Sequence, residues 1–401
     1  MKRSNSMNIT VIFTGGTIGS SVQQDFVSTD AQMPYRLLAM YEAGQKKKGA
    51  AIPSFRTQAP YTTLSEYMDG SHLNRLIACV QSLLTTDDPD IDGIIITHGT
   101  DTLPFTAAAL GMCFAYAEIP ILLVSSNYIL DDPRANGLTN FTAAVDYIYD
   151  WKHTHSGRGT SNVTPASPDT ATASPDTALV FLDTAPAMYT PAFPILPTAV
   201  GIAYCNTGDA PKIYNALGIY NHRPFDDSLY ERPYDAYAEA IAPVLRECSV
   251  IRHVTPDSIC TSGTTIDLLS GTTIDLLSGN TDIPDPGRDP IQESYTFFDT
   301  TCPVCFFQSM PGMQYHLPDD ARAVLIHAYH SGTINTKDAS LLALTGQAAQ
   351  KKIPVYLTGI SAESTDYDSK AVYESLGIIP LPEYSPLVAY MYLWYKFSQK
   401  R

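Results

Sequence analysis

Two threonines stand where a hydroxyl can react. Thr17 closes Thr14–Gly15–Gly16–Thr17, and Thr100 lies inside His98–Gly99–Thr100–Asp101–Thr102. A threonine hydroxyl is a weak nucleophile until a base or a charged network activates it. Asp101, next to Thr100, can accept a proton or hold a substrate ammonium. The backbone N–H groups of the turns at Gly16 and Gly99 are candidates to stabilise an oxyanion. Ser65 and Glu66, in the polar stretch Thr62–Thr63–Leu64–Ser65–Glu66, can bind the polar head of an amino acid. Together these groups are the set needed to hold a zwitterionic amino acid and attack its side-chain carbonyl. The plainer reading of each turn is that its glycines serve geometry alone.

The elements around these residues are those that would carry such a site. Ile9–Phe13 is β-branched and apolar and reads as a short buried strand running into the first turn. Ile94–Ile96 is a continuous apolar run, as in a strand buried on both faces. The Ala- and Leu-rich run from Leu103 to Ala117 favours helix. Ile119–Val124 reads as another strand, with a helix from about Leu138 to Trp151. Repeated strand–loop–helix units predict an α/β fold with a doubly wound, mostly parallel sheet, whose ligands bind at the carboxyl ends of the strands. Thr17 and Thr100 then lie within reach of one small ligand.

Composition narrows the function. The 401 residues suffice for two domains, and 44% hydrophobic with 16% charged residues describes a globular chain. A net charge of −16, from 25 basic and 41 acidic side chains, opposes binding to nucleic acid or an anionic membrane through the general surface field. There is no apolar run of membrane-spanning length, and the apolar stretch after Lys2 and Arg3 is too short for a signal peptide. A cytoplasmic location is expected. Seven scattered cysteines fit reduced thiols. Cys302 and Cys305 have metal-like spacing but lack a second pair, so no metal and no cofactor are expected.

Along the chain, Ser20–Pro34 reads as a mobile loop over the site, and Gln45–Gly49 as a solvated turn. Ser71 reads as the N-cap of a helix carrying Leu73, Leu76, Ile77, Val80 and Leu83. Residues 156–177, with Ser167–Ala171 repeated at Ser174–Ala178, read as a flexible insertion. Ala178–Leu182 reads as a strand. SGTTIDLL occurs twice, at Ser262–Leu269 and Ser270–Leu277, inside a stretch 226–300 that reads as an elaborated linker. A smaller α/β domain, 301–401, follows the N-terminal domain, 1–225. It has strands at Val304–Phe307, Ala323–His327 and Ile353–Leu357, a helix from Asp338 to Lys351, and an aromatic helix at Pro386–Phe397. The histidines carry plain structural readings, His98 as a holder of backbone.

TGGTIG near the N-terminus, followed by HGTDT, resembles the bacterial-type L-asparaginase and glutaminase-asparaginase family. Ala328–Thr333 and Tyr373–Pro380 resemble its cytosolic, type I branch. The resemblance covers about 1–220 and 301–401 and implies hydrolysis of L-asparagine to L-aspartate and ammonia through a covalent acyl-enzyme. Under it Thr17 matches the nucleophile. Thr100 and Asp101 match the second Thr and the Asp that orient water or nucleophile and bind the amino group. Ser65 and Glu66 match the pair that binds the α-groups, with Glu where Asp is usual. It also implies a homodimer or homotetramer, with sites completed by the partner's C-terminal domain.

The chain departs from that pattern in three places. The family's catalytic Lys has no counterpart in Asp183–Gly201; Lys212 is the nearest downstream. The mobile-loop Tyr is replaced near its place by Phe26, with Tyr35 the next candidate. The usual Ala–Met–Arg–Pro is Ser125–Ser126–Asn127–Tyr128, with Arg134 after it as a displaced cation. Three other readings compete with the hydrolase. A non-catalytic amino-acid binder explains the missing Lys and Tyr. A component of a tRNA-dependent amidotransferase shares the domain, but the −16 charge and the lack of an N-terminal extension weigh against it. A nucleotide-binding protein would need G-x-G-x-x-G spacing, which TGGTIG lacks.

Overall fold

The structure is a computed structural model that describes residues 7–23, 26–29, 33–85, 90–155, 191–223, 225–250, 296–362 and 368–399. The strand expected at Ala178–Leu182, the insertion at 156–177 and the tandem repeat at 262–277 lie outside them. Twelve strands and seven α-helices are found among these residues. The first sheet has six strands: β1 (Asn8–Phe13), β4 (Ser54–Gln58), β5 (Gly93–Thr97), β6 (Ile121–Val124), β7 (Val200–Tyr204) and β8 (Lys212–Asn215). Their order is β4-β1-β5-β6-β7-β8. All pair in parallel except β8, which runs antiparallel to β7. The central strands are buried along their whole length, which is why β5 reads GIIIT rather than alternating.

Helices cover both faces. α1 (Met33–Lys48) and α4 (Gly137–His155) lie on one side. α2 (Gly70–Thr85), α3 (Leu103–Phe114) and α5 (Ala238–Cys248) lie on the other. α3 is buried almost all round, with Leu103, Ala107, Leu110 and Phe114 inaccessible or nearly so. That explains why it is apolar on every face. The order places β1 between β4, which follows it in the chain, and β5, reached by crossing back. The carboxyl ends of β1 and β5 therefore flank a topological switch point, where such sheets open a crevice.

A second, smaller parallel sheet has order β12-β11-β10-β9, from β9 (Val304–Gln308), β10 (Ala323–His327), β11 (Val355–Ile360) and β12 (Ile378–Pro382). α6 (Ala339–Lys351) packs beside it. Asp338 caps α6 by accepting from the N–H groups of Ser340 and Leu341. α7 (Pro386–Ser398) packs between this sheet and α3, and Leu387, Met391 and Leu393 join the core of the first unit.

The chain differs from the sequence reading in four places. Residues 45–48 are not a turn but the last turn of α1, where three lysines meet the negative helix end; Gly49, at φ +65°, ends it. The cap of α2 is Asp69, whose Oδ1 accepts from the N–H groups of Ser71 and His72, rather than Ser71. Much of the stretch after Gly19 forms an antiparallel hairpin of β2 (Ser20–Gln23) and β3 (Phe26–Thr29). The stretch after 226 is not all linker: α5 buries Ile241, Val244, Leu245 and Cys248 in the first core. No helix among the described residues is long and apolar enough to cross a membrane.

Candidate active site

The site is built where β1 and β5 end side by side. Phe13 pairs with Thr97, and one residue further Thr14 Oγ1 donates to the Thr97 carbonyl at 2.7 Å. Gly15, at φ +101°, bridges to Thr63. The Thr63 N–H donates to Thr14 O and the Gly16 N–H to Thr63 O, both at 3.0 Å. Gly16 has φ 74° and ψ −176°, a conformation that glycine alone adopts readily. A Cβ built on it would fall 2.8 Å from the His98 carbonyl carbon and closer still to the backbone of Gly99. The glycines thus bring the two turns into backbone contact, with Thr17 and Thr100 as their immediate successors. Because the Gly16 N–H is engaged by Thr63, Gly16 contributes closeness rather than an oxyanion donor.

The loop holding Ser65 closes the other side. Ser65 is buried and its Oγ donates to Asp101 Oδ2 at 3.1 Å, while Thr102 Oγ1 donates to the Ser65 carbonyl at 3.0 Å. A Cβ on Gly99 would collide with Ser65. Thr17 and Thr100 are half-buried; Asp101 and Glu66 are exposed. Asp101 stands just before α3, where the helix N-terminus favours a carboxylate. Ser65 thus links its loop to Asp101, next to the turn that carries Thr100. Exposed carboxylates beside hydroxyls suit a ligand carrying an ammonium group.

His98 is buried, with Nδ1 2.8 Å from the Gly99 carbonyl oxygen. Burial pushes its imidazole down to about 4, so it is neutral and holds the turn. The cations considered from sequence lie elsewhere. Lys212 opens β8 opposite Tyr204 and faces Glu231. A further lysine, Lys152, pairs through Nζ with Asp92 at 2.8 Å, before the amino end of β5. Arg134 is engaged with Asp132 and stacks on Tyr128 at 4.0 Å. Tyr35 is exposed and its ring lies 5.9 Å from that of Phe13. Cys302 and Cys305 are free thiols. No group of three or more His, Cys, Asp or Glu side chains is placed to hold a metal among the described residues.

Thr63 was not legible as part of the site, because it acts through its backbone. One cavity is apolar, about 140 Å³, behind Thr102 between α2, α3 and α7. The second is about 510 Å³ and lies at the carboxyl edge of the second sheet, lined by Arg232, His327, Tyr329, Gly359 and Glu383 among others.

A parallel α/β sheet with hydroxyl-bearing turns at its switch point is the framework of a small-molecule enzyme or binder. Residues 8–160 match the family model described as Asparaginase, N-terminal. Over 142 residues it is 35% identical to the glutaminase-asparaginase of Pseudomonas aeruginosa, covering 34% of this chain and 37% of that protein. Over 143 residues it is 32% identical to one of the subunits of the glutamyl-tRNA(Gln) amidotransferase of Methanopyrus kandleri, covering 36% of this chain and 30% of that protein. The chain thus spans about a third of the length of these curated relatives. In fold it is similar to the thermostable L-asparaginase from Thermococcus kodakarensis, with a TM-score of 0.58 at 16% identity over 98% of this chain and 94% of that one. L-asparaginase I from Vibrio cholerae gives a TM-score of 0.56 at 18% identity, over 99% and 94%.

Proposed function

We propose that the protein is an amidohydrolase that converts L-asparagine to L-aspartate and ammonia. The observation that supports this reading is the close backbone approach of Gly16 to Gly99, the residues just before Thr17 and the Thr100–Asp101 pair. In the proposed reaction the Thr17 hydroxyl attacks the side-chain amide carbon. The C–N bond breaks, ammonia leaves with the hydroxyl proton, and water then cleaves the acyl ester. Asp101 and Glu66 receive the α-ammonium, and Ser65 holds Asp101 in place. The protein works as a homodimer or homotetramer, and the cavity at the second sheet is the face we assign to completing a partner's site. The test is ammonia release from L-asparagine and L-glutamine, with Thr17→Ala as control. Release by wild type alone supports the reading; no release above the control, with saturable L-aspartate binding, replaces it with a non-catalytic amino-acid binder.

The similarity to glutamyl-tRNA(Gln) amidotransferase chains favours one second reading, a component that frees ammonia for a tRNA-linked reaction. The net charge of −16 counts against direct tRNA contact. Ammonia release from free asparagine by this protein alone separates the two.

A further inference from the structure

The apolar cavity of about 140 Å³ lies behind Thr102, the residue after Asp101. Leu73, Phe105, Met391 and Trp394 line it from α2, α3 and α7, and Met68 lines it from the loop that follows Ser65. Met68, Thr102 and Phe105 are half-buried and leave it an accessible side; Leu73, Thr106 and Met391 are buried. An apolar cavity of about 150 Å³ stays dry and takes a benzene-sized molecule. Methionine side chains adapt to what they enclose and make favourable sulfur–aromatic contacts.

Three polar side chains also line the cavity, and two of them have partners. Thr102 Oγ1 donates to the Ser65 carbonyl at 3.0 Å. Asp69 Oδ1 accepts from Ser71 N–H, Ser71 Oγ and His72 N–H at the start of α2. The third, Thr106, is 1% exposed, and its Oγ1 has no hydrogen-bond partner among the described residues. The Thr106 N–H takes the Thr102 carbonyl at 3.1 Å, but the hydroxyl makes no bond back to the preceding turn. A hydroxyl left buried and unpaired is costly, and valine would fill the same space without that cost. Water does not answer the need: a buried water takes about two to four polar partners, and of the lining side chains Thr106 alone has a buried polar atom without one.

The cavity also adjoins the candidate site. The Ser65 carbonyl accepts from two residues that line it, Thr102 through Oγ1 and Met68 through its N–H, at 3.0 and 3.2 Å. Ser65 Oγ in turn donates to Asp101 at 3.1 Å. A molecule in the cavity therefore bears on both groups that hold the Ser65 loop.

We propose that this cavity binds a small neutral aromatic molecule with one hydroxyl group, of the size of phenol. The ring packs against Met68, Met391 and Trp394, the hydroxyl pairs with Thr106 Oγ1, and the bound molecule steadies the Ser65 loop. Neutrality follows from the apolar wall, where a charge would lose its hydration. The binding claim stands whether or not the protein hydrolyses asparagine.

The test uses the full chain, with phenol as the probe and toluene as a similar ring without the hydroxyl. Calorimetry reads binding, NMR reads ring-current shifts on the methionine methyls, and hydrogen–deuterium exchange reads the Met68 amide. Phenol is expected to bind saturably, on the order of 1 mM or tighter. It shifts the methyls of Met68 and Met391, leaves that of the exposed Met310 unmoved, and slows exchange at Met68. Thr106→Val weakens phenol by about threefold to tenfold and leaves toluene unaffected. Without ligand that variant melts no lower than wild type, because an unpaired hydroxyl has been removed. Phenol that shifts neither methyl overturns the site. Phenol affinity unchanged in Thr106→Val, or lost in parallel with that for toluene, overturns the pairing with Thr106. A Thr106→Val protein that melts lower or does not fold shows the hydroxyl already in use within the protein and overturns it too. Unchanged Met68 exchange at saturating phenol overturns the link to the Ser65 loop.

Discussion

Gly16→Ala tests whether the contact of the two turns holds the site together. Gly16 sits at φ 74°, ψ −176°, and holding an alanine there costs about 1–3 kcal/mol in backbone strain. The added methyl also meets backbone, 2.8 Å from the His98 carbonyl carbon and nearer to Gly99, and neither can move aside as a side chain would. Overpacking of this kind costs about 1–3 kcal/mol more. The sum, roughly 2–6 kcal/mol, is a large share of a typical total of about 5–15 kcal/mol. Thermal melting should therefore fall on the order of 5–20 °C. Relief of the clash pushes Thr17 away from Thr100, and a displacement of about 1 Å costs on the order of a hundredfold in rate. Gly44→Ala is the matched control: it lies within α1 and a Cβ there meets nothing within 4 Å. It should stabilise by about 0.5–1 kcal/mol through helix propensity. Differential scanning calorimetry and ammonia release on the two variants give the result. A Gly16→Ala protein that melts with wild type and keeps its activity refutes the idea that close approach of the turns positions the hydroxyls.

Two further outcomes follow from other sites. His98 is held neutral by burial, its folded value about 4 against 6.5 unfolded. Between these values the unfolded chain binds a proton that the folded chain refuses, so stability falls as pH drops across that window, by about 3 kcal/mol in all. Urea midpoints from pH 7 to 4 should show this slope in wild type and a shallower one in His98→Gln. Ser385 caps α7 through its Oγ, which accepts from the Val388 N–H at 3.2 Å. Ser385→Ala should cost about 1 kcal/mol in the urea midpoint, because α7 packs between α3 and the second sheet.

Much of the site was legible because glycine-rich turns after buried apolar strands carry a strong local signal. TGGT and HGTDT each mark a strand end, and the alternating strand–helix pattern fixes their order in a parallel sheet. What stayed hidden depends on distant pairing. Strand β4, SFRTQ, is polar and mostly exposed at a sheet edge, so its periodicity says little. The antiparallel edge strand β8 is four residues long. The lysine run KKK reads as a turn by charge, yet it completes a helix because its charge suits the helix end. Ser71 has cap chemistry, but Asp69, two residues earlier, reaches the same N–H groups.

The central claim is that the Thr17 hydroxyl accepts the acyl group in this crevice. Rapid acid quench of wild-type protein during turnover of L-asparagine, followed by peptide mass spectrometry, tests it most directly. An aspartyl ester on the peptide carrying Thr17, absent from Thr17→Ala, is the predicted result. Ammonia release with the ester on Thr100 or Ser65 instead, or undiminished release from Thr17→Ala, would contradict it.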